Sequence, residues 1–203
     1  MNTGGDGSTL RRIAALRALA LALSLVLAAA VTAGERPATV PGSIAFEGRN
    51  VLSTAHGEFR SWRIVRAEID PAQPRRGVVE VEVDVASLAT GIERRDNHLR
   101  SGDFFDVEKF PTARVRVHDA EPDGTGERGN PRYRAKFDVR IRGVERTIDG
   151  EFAVVRSSPP TVEGSLTLNR VDFGVGEAYT WWIPGSIEEQ VPVRFRAVLP
   201  VPR

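Results

Sequence analysis

Apolar and polar residues alternate along most of the chain beyond residue 42. Val79–Val85 alternates valine with acidic residues, and Tyr133–Arg142 alternates apolar with charged ones. A period of two, with one apolar and one charged face, is typical of antiparallel strands solvated on one side. With the turn signals between them, these segments predict eight strands, at residues 43–51, 57–69, 77–86, 112–121, 132–142, 145–156, 161–171 and 189–199.

The alternation changes phase within the second predicted strand. Phe59 and Ser61 fall on one parity, whereas Trp62 and Ile64 fall on the other. A β-bulge near Trp62 would produce this shift, and so would one aromatic ring lying on the outer wall. The residues alone favour neither interpretation.

One helix is predicted, at residues 91–101. The segment 90–93, Thr-Gly-Ile-Glu, fits a capping box, and Gly102 follows as a stop signal. Phe104, Phe105 and Phe110 then form an irregular aromatic stretch before the next strand. Long connections in compact domains usually have a function, and this one is expected to cap one end of a barrel.

The strand pattern leaves two architectures and two kinds of interior open. Eight antiparallel strands with one apolar face can form a sandwich or close into a barrel, which removes the exposed edges. A barrel of this size either fills itself with side chains or keeps room for one small ligand. The alternation does not decide between these outcomes.

The first 33 residues predict an export signal. Arg11, Arg12 and Arg17 precede an apolar run at 18–31, and small residues lead up to Ala33. The run of about 14 residues is shorter than the roughly 20 that span a bilayer. We therefore predict a cleaved signal peptide at 1–33, a linker at 34–42, and one domain at 43–203 in the bacterial periplasm or outside the cell. An uncleaved anchor is the alternative, and the match to the twin-arginine route is weak.

Composition excludes several classes of function. The chain has no cysteine, so disulfides, thiolate nucleophiles and cysteine-type metal sites are ruled out. Its three histidines, His56, His98 and His118, have no metal-ligand spacing, and we predict no metal site. A net charge of +1 with scattered arginines predicts no nucleic-acid partner.

Residues 90–111 carry a distinctive motif and read TGIERRDNHLRSGDFFDVEKFP. They resemble the YceI-like family, with its Thr-Gly, Arg-Asp-x-His-Leu and Asp-Phe-Phe-Asp-Val-x-x-x-Pro pattern. Further motifs fit in order, at 57–59, 141–144 and 168–174. The resemblance implies an all-β, eight-stranded antiparallel lipocalin-like barrel with a short helix capping one end. It also implies an internal apolar channel for a polyisoprenoid-type lipid or another long-chain amphiphile.

Two groups of candidate binding residues follow from the resemblance and the apolar parity. Arg95, Asp96, His98, Arg170, Trp181 and Trp182 are candidates for a head group or the channel mouth. Their alternative role is structural, pinning the helix and loops over the barrel end. The channel candidates, for which a filled core is the alternative, are Phe46, Phe59, Val83, Val85, Leu99, Phe104, Phe105, Val115, Phe137, Val139, Ile141, Leu166, Leu168 and Phe173.

The predicted function is binding without catalysis. The expected partner is an isoprenoid or other long-chain amphiphile, for carriage, storage or stress protection, with no other cofactor. Trp181 and Trp182 suggest transient membrane contact, and a homodimer is left open. The alternatives are a hydrolase that acts on a lipid or glycan from the Asp96 and His98 loop, and an interaction module with a filled core.

Overall fold

The described residues form ten strands and one short α-helix. The computed structural model describes residues 42–69, 73–126, 128–180, 183 and 185–200, all within one unit, Thr39–Arg203. The predicted signal peptide, most of the linker, Trp181 and Trp182 lie outside the described residues. The elements are β1 (Gly42–Arg49), β2 (Thr54–Phe59), β3 (Trp62–Glu68), β4 (Val78–Asp84), β5 (Leu88–Ala89), α1 (Glu93–Arg100), β6 (Thr112–Thr125), β7 (Pro131–Ile141), β8 (Val144–Ser157), β9 (Pro160–Asn169) and β10 (Gln190–Val198).

The strands form one antiparallel sheet that curls back onto itself. Its order is β3-β4-β6-β7-β8-β9-β10-β1-β2-β5. The two ends of this order meet, because β2 continues into β3 and β4 continues into β5. Backbone hydrogen bonds cross this seam, from Asp84 N to Ser61 O (3.0 Å) and from Arg60 N to Ser87 O (3.3 Å). Beyond the seam, β3 has no strand on its other side among the described residues, so the barrel is only partly closed there.

The predicted lipocalin-like barrel is therefore confirmed, with a correction to the strand count. The predicted second strand breaks at Arg60 and Ser61 into β2 and β3. The third ends at Asp84, and β5 continues its path after a 3-10 turn at Val85–Ser87. The ten observed strands therefore correspond to the eight predicted ones, two of which are each broken into two.

The phase shift in the second predicted strand has two structural causes. The break after Phe59 lets both its ring and that of Trp62 face the interior, where Trp62 is only 6% exposed. A β-bulge between Ile64 and Arg66 then turns Val65 outward, where it is 45% exposed. The predicted bulge is confirmed at Val65, and the alternative of a ring on the outer wall is wrong.

The charged face of the sheet is laced by cross-strand ion pairs. β4 and β6 are neighbours, with Glu82 opposite Arg114 and Glu80 opposite Arg116. The Arg114–Glu82 pair spans 3.0 Å and the Arg116–Glu80 pair 3.9 Å. Exposed pairs of this kind contribute little stability each, but they keep the outer face solvated.

Two large rings pack against a glycine-lined part of the inner wall. Phe137 on β7 and Phe195 on β10 have ring centroids 5.9 Å apart. A Cβ atom on Gly150 would lie 2.6 Å from the Phe137 ring, and one on Gly164 would lie 2.5 Å from the Phe195 ring. The glycines on β8 and β9 therefore give these rings the room to lie along the wall.

Helix α1 begins later than predicted and lacks the predicted capping box. Ile92 is its N-cap residue and makes no side-chain cap hydrogen bond, and Ser101 rather than Gly102 ends it. The Arg100 guanidinium donates to the Ala86 and Leu88 carbonyl oxygens, at 2.9 and 2.6 Å, and so fastens α1 to β5. No helix in the described part of the chain is long and apolar enough to cross a membrane.

One end of the barrel, called here the helix end, gathers α1 and three turns. These are the β1–β2 hairpin, the β7–β8 hairpin and the long β9–β10 connection. The β7–β8 hairpin is a two-residue turn, with φ of 50° at Arg142 and 78° at Gly143, as a type I′ turn requires. Arg142 also donates hydrogen bonds to the carbonyl oxygens of Phe104, in the connection between α1 and β6, and of Gly174, in the β9–β10 connection. These bonds tie the hairpin to both connections.

Candidate ligand-binding site

The interior face of the barrel is apolar on nearly every strand. Directly opposed residues of antiparallel strands share a face, so the register assigns the inward positions from the buried Phe137. They are every second residue of Ile44–Gly48, Ala55–Phe59, Val79–Val83, Ala113–Val117, Tyr133–Ile141, Val144–Val154, Val162–Leu168 and Val191–Ala197. Within this set, Arg146 is the only charged side chain and Tyr133 the only one with a hydroxyl group.

The fourteen predicted channel residues divide into two groups. Nine lie on strands, and all nine face the interior: Phe46, Phe59, Val83, Val115, Phe137, Val139, Ile141, Leu166 and Leu168. Five lie outside the strands, at the helix end: Leu99 is on α1, and Val85, Phe104, Phe105 and Phe173 are on connections. Parity along the strands thus locates the inner face correctly.

Burial separates core residues from residues that line accessible space. Phe137, Val139 and Phe173 are between 1% and 3% exposed and belong to the packed core. Val115 and Leu166 also face inward from the middle of their strands, yet they remain partly exposed. These side chains pack against the core and still keep accessible surface, so the interior is not filled uniformly. Other inward residues share this partial exposure, namely Ile44, Phe46, Phe59, Val81, Val117, Ile148, Phe152, Val193 and Phe195.

An aromatic row links this interior to the helix end. The rings of Phe46 and Phe59 lie 5.3 Å apart, and Phe105 meets Phe59 edge-on at 6.1 Å. Small residues follow toward the β1–β2 hairpin, with Gly48 opposite Ala55. A Cβ atom on Gly48 would have only the Ile187 side chain within 4 Å, at 3.9 Å. The interior is therefore open beneath this hairpin.

Arg95 and Asp96 are held together by Thr90. The Asp96 carboxylate accepts hydrogen bonds from the backbone N of Thr90, at 2.9 Å, and from its hydroxyl group. The Arg95 guanidinium donates to the hydroxyl oxygen and carbonyl oxygen of Thr90, at 2.7 and 2.9 Å. Burial alone would raise the pKa of Asp96, but these hydrogen bonds and the nearby Arg100 and Arg95 charges hold that pKa below its usual range. Both side chains thus fasten the start of α1.

Arg170 is buried under the β9–β10 connection and bound to its backbone. Its guanidinium donates to the carbonyl oxygens of Val175 at 2.7 Å, Ile187 at 2.5 Å and Glu188 at 3.1 Å. Burial lowers the pKa of Arg170, against the opposing effect of Glu189. Its donors are engaged in shaping the connection.

His98 lies apart from these groups, on the exposed side of α1. Its Nε2 is 3.6 Å from the Asp103 carboxylate, and its ring meets Phe104 edge-on at 4.9 Å. No hydrogen bond joins it to Asp96 within the described residues. The described residues also contain no cluster of three histidine or carboxylate side chains that could hold a metal ion. The structure thus does not bring Arg95, Asp96, His98 and Arg170 together into one cluster.

Sequence reasoning missed one charged residue on the inner face. Arg146 occupies an inward position of β8, opposite Val139. The sequence places Arg146 at the same parity as Val144 and Ile148, so alternation alone assigns it to the inner face. It was overlooked because every other inward position of that strand is apolar.

The fold and its interior define a lipocalin-like β-barrel. The YceI-like domain matches residues 38–199, and the chain belongs to this family. A UPF0312 protein of Pseudomonas savastanoi pv. phaseolicola is 32% identical over 174 residues, which cover 79% of this chain and 86% of the relative. A UPF0312 protein of Photorhabdus laumondii is 28% identical over 61% of this chain and 63% of the relative.

Solved structures share the fold at lower sequence identity. Burkholderia cenocepacia BcnA superposes with a TM-score of 0.66, at 21% identity, over 78% of this chain and 96% of that protein. A polyisoprenoid binding domain from Saccharophagus degradans, implicated in plant cell wall breakdown, gives a TM-score of 0.54 at 16% identity. That match covers 80% of this chain and 97% of the domain.

Proposed function

We propose that this protein is an exported, non-catalytic barrel that carries the apolar chain of a polyisoprenoid or fatty-acid-derived lipid in its interior. The observation that carries the proposal is the set of inward, mid-strand apolar side chains that remain accessible. A site for an apolar chain needs such a surface and few polar groups, and the interior offers both. Membership of the YceI-like family and the polyisoprenoid-binding neighbour support the same class of ligand.

The energy available from such an interior is sufficient for useful binding. Burying one methylene group contributes about 0.8 kcal/mol, so an eight-carbon stretch contributes roughly 6 kcal/mol before ordering losses. No metal or catalytic group is required for this.

We further propose that the barrel exchanges its ligand with a membrane through the helix end. Large apolar side chains are exposed there and form an apolar rim of Val51, Leu52, Ile92, Tyr179 and Ile183. The segments that carry them are consecutive around the barrel, because β10, β1, β2 and β5 are consecutive in the sheet. The opening beside Gly48 lies under the same hairpin, so a rim in contact with lipid would face the route to the interior.

The test is to identify what the protein carries when it is purified from the periplasm without detergent. Mass spectrometry of an organic extract should find a long-chain species in near-stoichiometric amount, and N-terminal sequencing of the same sample should begin after Ala33. A clean extract from folded protein that also binds no added long-chain lipid would instead support the filled-core interaction module.

A further inference from the structure

Arg146 is a cation with its stem on the apolar face of the barrel. The register sets it opposite Val139, which is 3% exposed, and between the inward residues Val144 and Ile148. Arg146 is nevertheless exposed. A long side chain of this kind can lie along apolar surface and still carry its charge to water.

A gap in the barrel wall gives the guanidinium this access. β8 pairs with β9 only from Gly150 onward, where Gly150 faces Leu166. β9 itself runs on to Asn169 without pairing with β8, and the 3-10 turn Arg170–Phe173 that follows it lies against β8. Within the described residues, the first half of β8 therefore has no hydrogen-bonded strand on this side, and Arg146 stands at this unpaired edge, called here the lateral gap.

The donors of Arg146 are largely unused. Its one hydrogen bond in the described structure runs from Nη1 to the Glu145 carbonyl oxygen, at 2.9 Å. No described carboxylate lies within 4 Å of it. By contrast, Arg142 and Arg170 at the same end donate to backbone carbonyl oxygens, and Arg95 donates to Thr90.

We propose that Arg146 binds the anionic head group, a carboxylate or phosphate, of the lipid whose tail lies in the barrel. This inference rests on the proposed lipid-carrying function and specifies its ligand. A guanidinium offers a planar pair of donors that matches either anion. The lateral gap lets the head group stay partly hydrated while the chain is buried. Charge-assisted hydrogen bonds of ordinary strength correspond to about a 10- to 100-fold preference for the anion over an uncharged analogue.

The experiment compares matched ligands on the delipidated full chain. Palmitate is paired with hexadecanol, and farnesyl phosphate with farnesol, and each displaces an apolar fluorescent probe from the protein. The variants are Arg146→Gln and, as control, Arg140→Gln. Arg140 is exposed on the outer face of β7, near the same hairpin. Wild type and Arg140→Gln should prefer one or both anions by about 10- to 100-fold. Arg146→Gln should bind anion and alcohol alike, with its alcohol affinity unchanged.

The two anion pairs show whether the carboxylate or the phosphate is the preferred source of charge. Equal affinity of wild type for anion and alcohol would overturn the role of Arg146 but leave the proposed function intact. So would a preference that survives in Arg146→Gln. Failure of the wild type to bind any of the four ligands would overturn the proposed function itself. Circular dichroism confirms that each variant is folded, and the salt dependence of the wild-type preference gives a readout that requires no variant.

Discussion

Filling the interior at Leu166 should expel the ligand without unfolding the barrel. Leu166 faces inward from the middle of β9, opposite Gly150 on β8 and Val193 on β10. It packs against the core but is partly exposed, so a larger side chain at this position can extend into the accessible space beside it. Its neighbour Thr167 is exposed and faces outward, so Thr167→Trp adds the same bulk on the other side of the wall.

The expected loss of ligand affinity follows from the volume that the tryptophan side chain occupies in the Leu166→Trp variant. If the indole displaces about three methylene groups of ligand, at about 0.8 kcal/mol each, binding weakens by about 2.4 kcal/mol, or roughly 60-fold. The lipid recovered by mass spectrometry from detergent-free protein should fall accordingly, and probe affinity should fall with it. Thr167→Trp should match wild type in both assays.

The reasoning would be refuted by Leu166→Trp protein that is folded and still carries as much lipid as Thr167→Trp. Near-ultraviolet circular dichroism and thermal unfolding establish whether each variant is folded. Unchanged lipid content in a folded Leu166→Trp variant would mean that the ligand does not occupy the space in front of β9.

Three further outcomes are expected. Arg170→Lys should lower the free energy of unfolding in urea by about 2–3 kcal/mol, because an ammonium group cannot reach all three carbonyl oxygens that the guanidinium binds. The control Arg194→Lys, at an exposed ion pair, should lower it by no more than about 1 kcal/mol. Asp96→Asn should destabilise the fold most at neutral pH and progressively less as pH falls below about 4. A carboxylate whose pKa is lowered by folding stabilises the fold at pH values above its ordinary pKa, and this contribution disappears as the folded carboxylate is protonated. A pH-independent difference between the unfolding midpoints would contradict this. Leu52→Glu, at a position 76% exposed on the apolar rim, should reduce co-sedimentation with phospholipid vesicles several-fold, while Val65→Glu on β3 should leave it unchanged.

Period-two alternation was enough to predict the inner face, because each strand exposes successive side chains to opposite sides. It could not distinguish filled from accessible interior. Val81 and Val83 are equivalent in the sequence pattern, yet Val83 is buried and Val81 is partly exposed. That difference depends on where other strands and connections meet over each position, which local sequence does not encode.

Long-range backbone contacts explain the other differences. The break at Arg60 and Ser61 is stabilised by hydrogen bonds to Ser87 and Asp84, more than 20 residues away. Arg170 belongs to a recognisable motif, but its partners are backbone carbonyl oxygens, which any residue type provides. The motif therefore identified an important residue and could not indicate that its guanidinium would be engaged within the fold.

The packing of Phe137 on Gly150 has an evolutionary consequence. The ring occupies the volume that a side chain on the glycine would need, so neither position can change alone without a clash or a void. Gly164 is fixed more tightly, because a Cβ atom there would clash with the Glu151 carbonyl oxygen as well as with the Phe195 ring, and no change of the ring removes the backbone clash. Among divergent relatives we expect Phe137 and Gly150 to be lost together, with a smaller apolar residue facing an alanine across the strands, whereas Gly164 should persist when Phe195 changes.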